Sequence, residues 1–337
     1  MASWTPRMAW DALPGGLRQG IEERAGAVVV RVDPVVGGFS AGFAGIVRTT
    51  RRAVFVKATS EAVNSHGRAL YRQEWDACRR LEQASVSVGF EWGFDEDDWT
   101  VLAFRAVDAG ICSPMWPDQQ LEAVLRLLRE RRTAAPPGLP PLDVRLGDVF
   151  SAWCNLADDP SFDAWPADEA GCRLLSPEGW NGLSERARRA FSGNDLVHAD
   201  LRADNILWTD HTPVVVDWAY ACRGSAAFDP IYLLLEVAWA GGEPPEEALA
   251  GVLEAYECHP DDATALLAAF GGWFTGMSRM PPPPGLPTLR AFQRDMAQAA
   301  LGWVRARIAV RDCRALIAAR RPHDSYPEQD RKKGTRT

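Results

Sequence analysis

His198, Asp200, Arg202 and Asn205 lie within one eight-residue stretch, and Asp217 follows twelve residues after Asn205. The stretch reads His198-Ala199-Asp200-Leu201-Arg202-Ala203-Asp204-Asn205, and the apolar run Val214-Val215-Val216 leads into Asp217. A carboxylate, an amide five residues on and a second carboxylate at a strand end form the set that phosphoryl transfer uses. One group orients the attacking hydroxyl, and two oxygen donors hold magnesium. Ile206–Trp208 and Val214–Val216 read as short strands, with Thr209–Pro213 as the turn between them. Pairing Trp208 with Val214 sets Asn205 opposite Asp217, with Cβ atoms roughly 4.5–5.5 Å apart. A slip of one residue puts the two on opposite faces.

A second set lies upstream. Of 37 basic residues only Lys57, Lys332 and Lys333 are lysines, and the last two sit in a polar tail. A compact ammonium at Lys57 is not replaced by the planar fork of an arginine. Lys57 ends the strand Ala53–Lys57, the third of a β-meander over 26–60 whose second strand is Phe43–Thr49. The first two strands are joined by the glycine loop Gly37–Gly42, which contains Gly38 and Ser40. The spacing next predicts a helix over 66–83 with Leu70, Glu74, Ala77, Cys78 and Leu81 on one face. A carboxylate inside an apolar stripe is costly unless paired, and Lys57 is the natural partner of Glu74.

Strands are expected at Phe90–Phe94 and Thr100–Phe104, joined by an acidic turn, Asp95–Asp98, that reads as a solvated tip. Arg105–Gly110 reads as a hinge, after which the chain turns helical. Helices are expected from Pro117 to about Arg132 and at Leu146–Ala157, Pro177–Phe191, Asp229–Trp239, Pro245–Tyr256, Asp261–Phe270 and Leu289–Ala319. Met280–Gly285 reads as a rigid proline connector. The domain reading is 1–106 for a nucleotide-binding β-sheet lobe with one helix, 107–326 for a helical lobe with the acceptor site, and 327–337 for a disordered tail.

Composition narrows the classes. A hydrophobic fraction of 47% and a charged fraction of 24% belong to a globular chain. A formal charge of −8, with no basic stripe, argues against nucleic acid. The N-terminus has no apolar signal-peptide core, and the best apolar run, Ile231–Ala240, is interrupted by Glu236 and reads as a buried helix. Seven scattered cysteines without a Cys-x-x-Cys suit a reduced cytoplasm and no structural zinc.

A glycine loop, a strand lysine and a helix glutamate, followed by His-x-Asp-x-x-x-x-Asn and a later Asp, resemble the protein-kinase-like fold. More narrowly the chain resembles the aminoglycoside phosphotransferase family, through His198–Asn205, Val216-Asp217-Trp218 and Gly224 through Asp229-Pro230. The resemblance covers nearly all of residues 20–320. It implies an α+β, two-lobed fold with a small antiparallel sheet and a mostly helical second lobe. It implies that Asp200 accepts the proton of the substrate hydroxyl and that Asn205 and Asp217 hold Mg2+. Lys57 contacts the α/β-phosphates of ATP or GTP and pairs with Glu74, and the loop around Gly38 and Ser40 covers the phosphates. Backbone groups of Phe104 to Ala106 hold the purine, His198 braces the loop, and Asp229 caps its helix and ties the loop down.

Two positions depart from the family. Ala199 replaces a glycine, which demands an ordinary φ there. Arg202 replaces a histidine and either stabilises transition-state charge or pairs with Asp204 or solvent. Only twelve residues separate Asp217 from Asp229, too few for the peptide platform of a protein kinase. The acceptor is therefore expected to be a small hydroxylated molecule, and the enzyme a monomer or homodimer. Residues 260–323 carry four Asp, no Glu and nine Arg, which disfavours a polycation, although Asp158, Asp159, Asp163, Asp168 and Glu169 leave room for a cation. Of fourteen tryptophans, Trp116, Trp153, Trp165, Trp180 and Trp273 fall in parts expected to form the acceptor cleft. The reading is an antibiotic kinase acting on a nucleoside- or sugar-bearing compound, or on an aminoglycoside, for resistance. The alternatives are a metabolic kinase of choline, homoserine or sugar type and a non-catalytic nucleotide-binding protein.

Overall fold

The computed structural model describes residues 7–35, 42–84, 86, 88–111, 115–159, 174–209, 212–283 and 286–319. The N-terminal part is a five-stranded antiparallel sheet in the order β1-β2-β3-β5-β4, built from β1 (Val29–Pro34), β2 (Phe43–Thr49), β3 (Ala53–Ser60), β4 (Phe90–Glu96) and β5 (Trp99–Arg105). Side chains alternate across a strand, and β3 uses both faces. Val54, Val56 and Ala58 pack with Leu17, Ile21 and Ala25 of helix α1 (Gly15–Ala25), so Lys57 points to the opposite face, where helix α2 (Glu61–Gln83) lies.

Helix α1 was not expected, although its apolar residues recur every four positions and Gly26, in the left-handed region at φ +82, closes it. Helix α2 starts five residues before the expected 66. Ser60 caps its first turn through Val63 N–H at 3.2 Å. The helix breaks at Asn64 (φ −163°), whose Oδ1 accepts from Gly67 N–H at 2.8 Å and restarts it. The 3.6-residue pattern is therefore regular only beyond the restart. The acidic turn is more than a solvated tip, because Asp95 accepts from Arg72 and from Thr100, each at 2.6 Å.

The C-terminal part is helical: α3 (Asp118–Glu130), α4 (Leu142–Arg145), α5 (Gly147–Ala157), α6 (Pro177–Ala190), α7 (Phe228–Gly241), α8 (Glu246–Ala255), α9 (Pro260–Arg279) and α10 (Leu289–Ala319). Its core gathers Trp153, Trp180, Phe191, Phe228, Phe270 and Trp303. Helix α9 runs nine residues past the expected end at Phe270. A Cβ on Gly271 would meet Leu301 of α10 at 2.6 Å, and one on Gly272 would meet Trp153 of α5 at 2.6 Å. Both glycines lie inside α9 and allow close helix packing.

Short strands carry the loops of the site. The hairpin β8 (Ile206–Thr209) and β9 (Thr212–Val215) pairs with β6 (Gly110–Ile111), and β7 (Asp195–Val197) pairs with β10 (Cys222–Gly224). The two parts of the chain meet where α2 packs against the 3-10 turn Trp218–Tyr220, with Ala77 buried against Leu139 and Ala221.

Candidate active site

The residues upstream assemble on the inner face of the sheet. Lys57 Nζ forms an ion pair with Glu74 and a second with Asp217 Oδ1 at 3.4 Å. Tyr71 and Phe104 offer their rings to the same ammonium at 4.9 and 5.6 Å from the ring centroids. Burial works against the charge on Lys57, but Asp217 and Glu74 outweigh it and raise its pKa. A buried ammonium between two carboxylates stays charged, as phosphate binding requires. Ala106 begins the stretch of irregular backbone between β5 and β6, just after Arg105 N–H is taken by Gly89 O at 2.7 Å. Gly38 and Ser40 lie outside the described residues, as do Trp165, Asp163, Asp168, Glu169 and the tail from 327.

The loop after β7 carries the second set. Ala199 takes φ +64, in the left-handed region, so the expectation of an ordinary φ at this position is corrected. The peptide must turn there to bring Asp200 out of the loop, and a side chain in that region costs about 1 kcal/mol. Asp229 of α7 accepts from His198 N–H at 2.7 Å and from Ala199 N–H at 2.9 Å. It does not cap its own helix, whose N-cap is Ala227. The His198 ring lies 2.9 Å from Val216 O through Nε2, while Nδ1 accepts from Asp200 N–H at 3.3 Å, so the tautomer that satisfies both carries its proton on Nε2. An edge contact with Trp218 at 4.8 Å completes the brace.

Asn205 Nδ2 donates to Asp200 O at 2.8 Å and stands 3.3 Å from its Oδ2. The amide nitrogen is thus committed to Asp200, and Oδ1 is the atom left to offer a cation. The ladder differs from the expected pairing by one residue: Leu207 faces Val214 and Trp208 faces Pro213. Asn205 stands outside the ladder in the 3-10 turn Ala203–Asn205, and its carbonyl accepts from Val216 N–H at 2.9 Å. Asp217 turns out of the strand at φ +65. It is this reversal, and not cross-strand opposition, that directs Asp217 back to Lys57. The side chain stays 45% exposed. Burial raises its pKa, but Lys57 prevails and holds it lowered. An amide oxygen beside an open, ionised carboxylate suits a hard cation that keeps waters and phosphate oxygens in its shell, so the residues present fit Mg2+.

Arg202 is largely covered, with 13% of its side chain exposed. Nη2 bonds Asp204 Oδ2 at 2.7 Å, Nε lies 3.7 Å from Asp200 Oδ1, and the guanidinium faces the Phe292 ring at 5.7 Å. Burial opposes its charge, and Asp204 and Asp200 more than restore it. The pairing with Asp204 is therefore the one present, inside the protein and not in solvent. Asp200 is pushed up to about 6 by burial, with Arg202 opposing and Asp204 adding to the rise. Such a carboxylate is a better proton acceptor than an exposed one.

Two further carboxylates escaped the sequence reading. Asp204 was seen only as a possible partner of Arg202, and Glu236 only as an interruption of an apolar run. Glu236 accepts from Ala203 N–H at 2.7 Å, and burial pushes it up to about 7. The signal that singled out Glu74, a carboxylate on an apolar helix, was present at Glu236 as well. The tryptophans divide. Trp153 and Trp180 stack at 4.4 Å in the core, and Trp116 is buried under the loop with Leu201, Ala203 and Ile206, so these three are not acceptor contacts. The half-buried ring facing Arg202 is Phe292, which meets Trp239 edge to face at 5.2 Å.

The phosphotransferase enzyme family model matches residues 46–270, more than half of the chain. The structure is similar to that of the choline kinase LicA from Streptococcus pneumoniae, with a TM-score of 0.55 and 14% identity over 86% of this chain and 99% of that one. It is also similar to a thermostable mutant of the aminoglycoside phosphotransferase APH(4)-Ia, with a TM-score of 0.51 and 17% identity over 86% and 97% of the two chains. The same mutant enzyme in ternary complex with AMP-PNP and hygromycin B gives a TM-score of 0.51 at 15% identity over 87% and 97%. No curated protein sequence matches. With the two-lobed protein-kinase-like fold in place and the family match extending over residues 198–217, the chain belongs to the phosphotransferase enzyme family and is a small-molecule phosphotransferase.

Proposed function

We propose that this phosphotransferase moves the terminal phosphoryl group of ATP or GTP to a hydroxyl of a small antibiotic, nucleoside- or sugar-bearing, and so inactivates it in the cytoplasm. The observation that carries the reaction is the meeting of Lys57 with Asp217 Oδ1 at 3.4 Å. It joins a phosphate-binding ammonium to a cation-binding carboxylate beside the loop that presents Asp200. Residues 1–106 form the nucleotide lobe and 107–326 the acceptor lobe in this reading. Among the described residues no helix is long and apolar enough to cross a membrane.

Lys57, held by Glu74, grips the α/β-phosphates, and the backbone of Phe104 to Ala106 holds the purine, with Gly38 and Ser40 over the phosphates. Asn205 Oδ1 and Asp217 would hold Mg2+, which would supply neutralisation of the phosphate charge. Asp200 aligns the acceptor hydroxyl and takes its proton. Arg202 keeps Asp200 oriented and lends positive charge to the transfer zone.

The acceptor class rests on what surrounds Arg202. Phe292 offers apolar ring surface to Arg202 and packs edge to face with Trp239, and such a surface suits a weakly charged, ring-bearing acceptor. The same rings would also receive a quaternary ammonium, which keeps a choline-type kinase as the second reading. A coupled nucleotide assay over antibiotics, choline, homoserine and sugars, with the product mapped by mass, separates them. Good turnover of choline or homoserine with every antibiotic inert would sink the first reading.

A further inference from the structure

The turn Ala203–Asn205 has no cap of its own. Its N-cap residue is Arg202, whose side chain makes no capping hydrogen bond, and a helical turn leaves its first N–H groups without intrahelical partners. Ala203 N–H is instead taken by Glu236 Oε2 at 2.7 Å, from helix α7. Glu236 is 5% exposed and stands among Leu233, Leu234, Leu235 and Ala238, all buried. Seven residues earlier on the same helix, Asp229 holds His198 and Ala199 N–H. Seven residues of helix are two turns, a rise of about 10 Å. One rigid helix therefore carries two carboxylates that grip the two halves of the catalytic loop.

We infer that Glu236 is a positioning residue for phosphoryl transfer, capping the Ala203–Asn205 turn from α7 so that Arg202 stays beside Asp200 and Asn205 stays at the cation site. The inference rests on the proposed reaction for its catalytic consequence, but the capping contact is independent of it. The residues that would move are those next to the held amide. Arg202 Nε is 3.7 Å from Asp200 Oδ1, and Asn205 Nδ2 is 2.8 Å from Asp200 O. Reacting groups displaced by about 1 Å lose on the order of 100-fold in rate. Lys57 and Glu74 lie on other elements, so affinity for metal-free nucleotide should not follow.

Glu236→Leu and Glu236→Met remove the acceptor while keeping an apolar side chain of similar size, and Glu236→Gln keeps an acceptor oxygen. In the full chain, Leu and Met are expected to lower kcat roughly 10- to 100-fold with affinity for metal-free nucleotide unchanged, and Gln is expected to restore kcat. Amide hydrogen exchange, which needs no substrate, should show faster exchange at 201–205 in Leu and Met but not at 198–199, where Asp229 still holds. Folded Leu or Met variants with wild-type kcat and wild-type protection would overturn the inference. So would a lowered Tm with kcat per folded molecule unchanged, or failure of both variants to fold, since each assigns Glu236 to general stability. Asp200→Ala serves as the separate control: full transfer by that variant refutes the proposed reaction, whereas the exchange pattern decides Glu236 by itself.

Discussion

Asp200 and Lys57 carry different kinds of consequence. In the proposed reaction Asp200 takes the hydroxyl proton, so Asp200→Ala should cut transfer by about 10²–10⁴-fold while nucleotide binding persists, as equilibrium binding of a fluorescent nucleotide would show. Lys57→Met leaves Glu74, which is 1% exposed, as a buried charge without its partner, and should cost about 3–5 kcal/mol of stability. The double variant Lys57→Met, Glu74→Leu should regain most of that stability, since a well-packed apolar pair replaces a buried ion pair, and should remain inactive. Denaturant titration alongside the transfer assay reads both. Ala199 sits at φ +64, so Ala199→Gly should raise stability by about 1 kcal/mol, because glycine adopts that region without steric cost. An unchanged denaturation midpoint would contradict the strain. Lys57 and Glu74 were legible because each stands out against its surroundings, a lone lysine and a lone carboxylate. Ala199 was not, because its backbone conformation is imposed from a distance, by Asp229 taking the N–H groups of His198 and Ala199.

Helix α7 joins stability to pH through Glu236. Burial pushes this carboxyl up to about 7 from its ordinary value of 4.5, so between those values the folded chain keeps a proton that the unfolded chain releases. Stability rises with pH only where the unfolded state binds more protons. Here the folded state binds more, so the Glu236 contribution falls as pH climbs from about 4.5 to 7 and stays low above. Glu236→Gln removes that titration and should gain Tm relative to the wild type between pH 5 and pH 8; a constant difference over the range would disprove the assignment. The β8–β9 hairpin shows how far an element can be read locally. Both strands were legible from their β-branched and aromatic runs, but the register was off by one. The turn residues do not set it, because Asn205 is drawn into a 3-10 turn by Glu236 and Asp200.

At the scale of the whole molecule, the site depends on two parts that fold around separate cores and meet through Lys57–Asp217, a contact between residues 160 apart in sequence. The stacked pair Trp153 and Trp180 belongs to the second core. Trp180→Ala should cost about 3–5 kcal/mol without changing the acceptor KM of the folded fraction. Phe292→Ala, by contrast, should raise acceptor KM with little effect on nucleotide affinity. Equal KM shifts in the two variants would place the acceptor elsewhere.

By itself the sequence determined the reaction class and most of the elements, because phosphoryl transfer restricts residue types and spacing, and apolar periodicity follows from local geometry. It nominated Asp200, Asn205, Asp217, Lys57 and Glu74 for the site. Only the tertiary structure decided how those side chains converge. Long-range contacts turn Asp217 out of its strand, bend Ala199, recruit Asp229 and Glu236 from α7 and assign Trp153 and Trp180 to the core. These outcomes depend on which buried N–H groups and charges lack a local partner, and a partner thirty residues away is chosen by packing, not by sequence spacing.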